Sequence, residues 1–567
     1  MKKILLFVFV ASFLFTLPGH CQWGTEPGET VTLASGEGEK YNVLIEPGPD
    51  NSWYVTYTAI ISDSLYVIHL ARVTGTGVIL WDNIIQNPTE SGNPKTVMIS
   101  DNADGVIMAW TDYRNPVNPL IYANRIDPDG NKLWGADDLK VGTSEGEQHY
   151  PRIILDGDGG VFITCYDRYT GNGEFMGIYA YRVSSEGSVL WRTYLFPNGV
   201  TLNGDNYSMN TDGEGGLIAF GILINTTDEE YQIRGMRLDE NGTRLWPNET
   251  LGDGASMGMY FQGTPAIGNG YNFGFLNSAF HPAAGVYLVY NISSLIPFGN
   301  DYMEEKGQLI DINGNKLWAA EDVLLAEPTN NIEGVDVLTD LDGNLYFNYG
   351  ANVRWRLQKV LSDGSLPWTI DGVEYSSDGT GQIDKLELTA SNDVMVPMDG
   401  IDDIINVARI DGTGDMVYDP PLLAISLVEL GYQQVNPVIR VNENDQVIAV
   451  WAQHANTDNW DLKMHGFNTD GLFGSATSVR NLQPADVKMY PNPISNLEKL
   501  VIETSEIEFG NVSLIHPNGK VVFLGKNMDL RNGATLISLP NELSAGIYFL
   551  QISNGTKVFS SKLVVYE

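Results

Sequence analysis

Three observations in the sequence predict an all-β fold. Apolar residues alternate with the two-residue period of strands, and amphipathic helical spacing appears nowhere. Short Asp/Gly turns break that alternation at close intervals. One ten-residue pattern returns in seven clear copies and an eighth, weaker one. Together they describe a seven- or eight-bladed β-propeller over residues 22–483, followed by a small antiparallel β-sandwich over 484–567.

The elements follow in chain order. Lys2 and Lys3 precede an apolar run from Ile4 to Leu17, closed by Pro18 and Gly19. That run is shorter than the ~20 residues a membrane-spanning helix needs, so residues 1–21 read as a secretory signal peptide. Gly19 and Cys21 are small enough for cleavage, which leaves Gln22 at the mature terminus. A lipoprotein signal acylated at Cys21 is the rival, and His20 before that cysteine argues against it. With Cys21 removed, Cys165 is the one remaining thiol, and packing replaces disulfides as the source of stability.

The repeat is clearest from Arg125 to Trp134, with relatives at Arg72 to Trp81, Arg182 to Trp191, Arg237 to Trp246, Leu309 to Trp318, Lys359 to Trp368 and Arg409 to Tyr418. The eighth copy surrounds Asp470-Gly471, with Ser475 at its aromatic position. The marker glycines 77, 130, 187, 242, 314, 364, 414 and 471 lie about 56 residues apart, room for four short strands and their loops. A second marker opens a hairpin earlier in the unit, as at Asp101, Asp156, Asp212, Asp340 and Asn442. Val31 to Gly38 parallels Leu139 to Gly146, which follows a Trp turn. The N-terminus is therefore expected to supply the outer strand of the blade formed near 435–470 and so close the ring.

Trp110 to Arg114, Ile121 to Arg125 and Gly130 to Trp134 resemble a repeat of secreted bacterial propellers. The Gly-to-Trp spacing is similar to the tryptophan-docking repeat of quinoprotein propellers. The resemblance implies that Trp81, Trp134, Trp191, Trp246, Trp318, Trp368 and Tyr418 wedge between neighbouring blades as structural glue.

After Leu482 the pattern changes. Tyr490-Pro491-Asn492-Pro493, Gly519-Lys520-Val521, Leu543 to Tyr548 with Gly546 between, and Lys562 to Val565 punctuate short strands. In order and spacing these residues resemble the type A C-terminal sorting domain of the type IX secretion system. The sorting motif is then Tyr490, Pro491, Asn492, Pro493, Gly519, Gly546, Tyr548 and Lys562. The resemblance implies passage by the general secretory route, then export by the type IX machinery as its partner. Removal of the domain, with surface attachment or release, would follow.

The chain carries 33 basic and 71 acidic side chains, a net charge of −38, which disfavours nucleic acid, anionic membranes and heparin-like polyanions as partners. Residues 484–567 hold seven basic and eight acidic groups, so almost all of the acidity belongs to the repeats.

No catalytic motif is identified. Gly254-Ala255-Ser256-Met257-Gly258 fits Gly-x-Ser-x-Gly but lacks the following helix that a nucleophile elbow needs. The seven His include no His-Glu-x-x-His pair, so no metal ligand set is expected. The adjacent cysteines common in quinoprotein dehydrogenases are missing too. No cofactor is expected, with weak structural calcium at acidic turns such as Asp127-Pro128-Asp129 as the exception. Loop-end residues Asp112, Tyr113, Arg114, Tyr166, Asp167 and Arg168, with Gln453 and His454, are the candidates for ligand binding, while their repetition in register favours a salt-bridge layer between blades. The expected function is a surface or released scaffold that binds glycan or protein. The alternatives are a carbohydrate-active hydrolase or lyase with carboxylates in the channel, and a structural surface component.

Overall fold

Asp turns and Gly turns divide the chain into hairpins, and the hairpins stack into blades. A computed structural model describes residues 23–566 other than 63–64, 91, 143–145, 169–175, 198–206, 226–229, 248, 251–255, 266–270, 295–301, 319–321, 329–331, 334–335, 352–353, 377–384, 400–402, 430, 456–458, 475–479, 482–486, 496–498, 505–508, 516–520, 531–533, 541–542, 544 and 554–556. The expected signal peptide, Gly519 and Asn554-Gly555 lie outside the described residues.

Eight antiparallel sheets form from the described residues before 470. Seven are sequential: 40–90, 96–140, 148–197, 207–265, 271–324, 332–376 and 387–424, here blades 1 to 7. Blade 4 carries an extra short strand, Glu249–Thr250, and the first strand of blade 6 is split into Ile332–Glu333 and Val337–Thr339. Blade 8 joins both ends of the repeat region. Strands Gln433–Val441, Gln446–His454 and Trp460–Asn468 are completed by Val31–Ala34, with Val31 opposite Met464. Eight blades, not seven, make the ring, and the N-terminal strand closes it.

Each blade repeats the same two turns. In the first, the carboxylate of Asp101 accepts the backbone N–H groups of Ala103 and Gly105 at 2.7 and 2.8 Å, and Asp156 and Asp212 do the same in their blades. In the second, the eight marker glycines take φ of 77–93°, a region costly for any residue with a Cβ. At Gly187 a Cβ would also run into the Trp134 ring.

The hydrophobic core lies between blades and is divided into local clusters. One sets Tyr54, Ile68 and Leu70 of blade 1 against Met98, Met108 and Trp110 of blade 2. Another joins Val450, Leu462 and Met464 of blade 8 to Trp53, Val55 and Ala71 of blade 1. A polar layer overlies these clusters. Trp81 Nε1 donates to the Pro128 carbonyl, two residues before Gly130 of the next blade, at 3.0 Å. Trp134, Trp191, Trp246 and Trp318 donate in the same way to Ser185, Glu240, Ile312 and Ser362, and the Tyr418 hydroxyl donates to Thr469. Trp368 packs against Gly414, but its Nε1 is buried without an acceptor among the described residues.

Blade 8 takes its wedge from the opposite end of the chain. Trp23, buried, donates Nε1 to Gly75 at 2.8 Å and lies against Gly77 of blade 1 and Gly466 of blade 8. It fills the role left open at Ser475. The repeated arginines address the same carbonyls. Arg125, Arg182 and Arg237 each pair through Nε with the turn aspartate of their own blade (Asp101, Asp156, Asp212) at 2.8–2.9 Å. Their Nη1 groups donate to Ser185, Glu240 and Ile312 of the next blade. One carbonyl thus receives both an indole and a guanidinium from its neighbour.

The C-terminal module is a sandwich of two sheets around Leu500, Ile502, Val512, Leu514, Leu550 and Leu563. It departs from a purely antiparallel arrangement in one respect. Ile494–Ser495 and Arg480–Asn481 run parallel to the terminal strand Lys557–Tyr566. The second of these pairings brings into its sheet residues that precede the expected boundary at 484.

Candidate functional site

The first strand of each blade lies nearest the ring axis, and four of these strands shift register, three of them at a residue of positive φ. Asn42, Tyr150 and Asn436 have φ of 52–55°, each at a shift in pairing register. A bulge re-aims the residues that follow it. Here those residues are Leu44 to Glu46, Arg152 to Ile154 and Val438 to Arg440, and all nine line a cavity of about 220 Å³ at the centre of the ring. Blades 2, 4 and 7 complete the lining with Val97, Met98, Met209, Lys385 and Glu387.

The charged residues of this cavity come from four blades. Arg440 donates Nη1 to Glu387 Oε1 at 2.7 Å and Nη2 to both Glu46 oxygens at 3.2 and 3.3 Å. One guanidinium therefore grips two carboxylates contributed by blades 1 and 7. Burial pushes the Glu387 carboxyl above its usual range, against the pull of Arg440. Burial alone would depress Arg440, but the two glutamates hold it above the ordinary value. The Arg152 guanidinium lies 4.7 Å from the centroid of the Tyr207 ring. Lys385 is exposed and makes no hydrogen bond or ion pair among the described residues, although its charge opposes the upward shift that burial gives Asp336. With the buried Asp336, on which Lys385 and Arg440 both act, three acidic groups face three cations around the cavity.

The candidate loop residues are distributed differently. Asp112 is buried and fully engaged: it accepts from Trp110 Nε1, from the Arg114 backbone and from two Arg114 guanidinium nitrogens, at 2.8–3.0 Å. Arg114 in turn stacks 3.8 Å above the Tyr122 ring. Asp167 is likewise buried, accepting from Gln148 at 2.8 Å and Arg192 at 3.3 Å, and Tyr166 belongs to the core between blades 3 and 4. Tyr113 and Arg168 stay accessible. Arg168 pairs with Glu147 at 3.0 Å, Glu147 lies 3.5 Å from His149, and the His149 ring lies 6.3 Å from that of Tyr113. Gln453 donates to Glu429, and His454 stacks on Trp460 at 4.7 Å.

Sequence reading missed the channel residues, although a usable signal exists. They stand two and four positions before the residue that opens each first turn. Arg440 and Val438 precede Asn442 in this way, Arg152 and Ile154 precede Asp156, and Glu46 and Leu44 precede Gly48. Glu387 and Lys385 precede Thr389 by the same count.

Ser256 of the Gly-x-Ser-x-Gly segment begins the strand Ser256–Pro265, with no helix after it. At the acidic turn of blade 2, Asp127 accepts from the backbone of Asp129 and Asn131, and these bonds lower its carboxyl pKa against the raising effect of burial. Among the described residues no group of three or more His, Cys, Asp or Glu is arranged to hold a metal.

In the sorting motif, Tyr490 is exposed and donates its hydroxyl to Glu503 at 2.6 Å. Asn492 clamps the terminal strand, donating to the Lys562 carbonyl at 2.7 Å and accepting from the Val564 N–H at 3.0 Å. Gly546 and the buried Tyr548 pair with Val565 and Leu563 of that strand. Pro491, Pro493 and Lys562 face solvent.

Several solved structures are distantly similar. Prolyl oligopeptidase B from Galerina marginata matches at 12% identity and a TM-score of 0.38, covering 74% of this chain and 55% of its own. This chain thus spans about half of that enzyme's length. A polysaccharide lyase of family PL25, an ulvan lyase, matches at 10% identity and a TM-score of 0.40, covering 78% of this chain and 97% of its own. An α-L-arabinanase from Penicillium chrysogenum matches at 14% identity and a TM-score of 0.30, covering 57% and 94%. No curated protein matches the chain. Residues 488–566 match the family described as the secretion system C-terminal sorting domain. The segment that opens on the Tyr490–Pro493 motif and ends on the strand clamped by Asn492 is therefore a type IX sorting domain, and the chain is exported to the cell surface or the medium.

Proposed function

We propose that the ring is a non-catalytic binding scaffold, carried outward by its sorting domain, that takes a glycan or protein ligand at its central channel. The expected division of the chain, with a signal ending at 21 and the ring ending near 483, is part of this proposal. The observation that carries it is the Glu46–Arg440–Glu387 bridge. A glycosidase needs two carboxyl groups about 5–9.5 Å apart, one protonated as acid and the other free as nucleophile or base. Here a single guanidinium occupies both carboxylates, which favours holding a ligand over cleaving one.

A hydrolase or lyase is the second reading, and the upward shift of Glu387 in a cavity is what favours it. The two readings separate when the mature chain is applied to a glycan array and to extracellular proteins. Reducing ends and unsaturated products are followed in parallel. Retention without cleavage is expected. Cleavage moves the protein to the enzyme reading, and silence in every arm leaves a structural surface component.

A further inference from the structure

We infer that the export machinery grips the sorting domain on the outward face of its three-stranded sheet, along the row Tyr490, Val501 and Leu536. The inference rests on the sorting-domain match at residues 488–566 and is independent of what the ring binds. Strands Val487–Tyr490, Lys499–Thr504 and Ala534–Ser538 form this sheet. The two-residue period of a strand sends Leu500, Ile502 and Ile537 into the core. Val501 and Leu536 therefore point outward, and Val501 stands opposite Leu536 on one side and Tyr490 on the other.

Side chains directly opposite one another on neighbouring strands are about 4.5–5.5 Å apart, so the three make one continuous apolar row. Leu536 is 61% exposed and Tyr490 45%, with Val501 half-buried between them. Leaving that row in water costs free energy that a docked partner offsets. The exposed leucines of the ring differ, because Leu80, Leu133, Leu190 and Leu245 stand singly, one to a blade. Charge indicates the partner's chemistry. Lys488 and Lys499 are exposed on the same face, on either side of the row, and make no hydrogen bond or ion pair among the described residues. Glu503 shares the face and accepts the Tyr490 hydroxyl at 2.6 Å. The row thus has cationic ends, on the near-neutral module of a chain of net charge −38. It fits an apolar protein surface rimmed by carboxylates, and the same rim repels the acidic ring.

The test is export of the full chain, followed by fractionation of the producing cells, with the melting of each purified variant measured beside it. Leu536→Ser and Tyr490→Ser are each expected to lower the exported fraction about tenfold, the loss of one interface anchor, with unchanged melting. Leu536→Met and Tyr490→Phe keep the apolar surface and are expected to export normally. Tyr490→Phe also removes the hydroxyl that meets Glu503, so it separates docking from that hydrogen bond. Lys488→Glu combined with Lys499→Glu is expected to lower export, whereas Leu133→Ser on the ring leaves it unchanged. Normal export of Leu536→Ser overturns the docking face, and so does a loss that tracks a fall in melting temperature. Loss of export in Tyr490→Phe overturns it in favour of the hydrogen bond. A dimer in sedimentation that Leu536→Ser dissolves assigns the row to a second copy and overturns it as well. Each of these outcomes leaves the sorting domain as the export signal, which deletion of residues 488–566 tests separately.

Discussion

Among single residues, Glu305 stands out because it lies outside the repeat logic. It is fully buried, and neither carboxyl oxygen has a hydrogen-bond partner among the described residues. Burial pushes its carboxyl well above the ordinary glutamate value. The folded protein therefore keeps a proton that the unfolded chain releases near pH ~4.3. Stability from this group is complete below that value and drains as pH rises toward the folded pKa, by up to about 1.4 kcal/mol per unit. Glu305→Gln is expected to flatten the fall in melting temperature between pH 5 and 9, and identical slopes for the two proteins would refute it. Arg237 tests the opposite case, a satisfied buried charge. Its pair with Asp212, whose side chain is 0% exposed, is broken in Arg237→Met, stranding the carboxylate at a cost of about 3–5 kcal/mol. Denaturant unfolding measures that loss, and Asp212→Asn added to Arg237→Met is expected to restore part of it.

Among elements, the seam between blades 8 and 1 differs from the other seven. Elsewhere the wedge is covalently part of its own repeat; here Trp23 and Val31–Ala34 arrive from the N-terminus. Trp23→Ala is expected to cost about 3–5 kcal/mol and to expose the edge of Trp460–Asn468 to other chains. Trp368→Phe is expected to cost less than Trp134→Phe, because only Trp134 gives up a hydrogen bond, worth about 1 kcal/mol. Equal losses in calorimetric unfolding would count against the shared-carbonyl account. Wedges and turns were legible in sequence because each Gly and the aromatic four residues later recur together, although the aromatic meets the turn of the next blade. Trp23 was not, although Trp23-Gly24 repeats Trp134-Gly135, because the glycines it packs against lie in blade 1 and at the far end of the ring. Asp112 and Asp167 are ion-paired, as their repetition in register favours, though within their own blades. Their loop-end position suggests exposure, whereas Trp110, Arg114, Gln148 and Arg192 fold back to cover them.

For the whole molecule, acidity and export are the governing properties. A net charge of −38 concentrated in one ring repels itself, so the melting temperature is expected to rise between about 10 and 150 mM salt. A flat salt profile would mean that ion pairs such as Arg182 with Asp156 already offset the repulsion. Removing residues 488–566 is expected to keep the protein inside the producing cell, judged by fractionation against the intact chain. Substituting Asn492 alone, which frees the terminal strand, is expected to lower export without unfolding the ring.

The sequence by itself determined the blade unit and the route of export. Turn chemistry, strand alternation and the sorting motif are short-range patterns, each readable within about 80 residues or fewer. Tertiary structure alone decided that eight blades close the ring, and what its centre contains. Glu46 and Arg440 are 394 residues apart, and they meet only because closure brings blade 8 beside blade 1. A strand's two-residue period fixes which side chains face the channel, but not which charges face one another across it. That pairing depends on the number of blades and the seam, which no single repeat encodes.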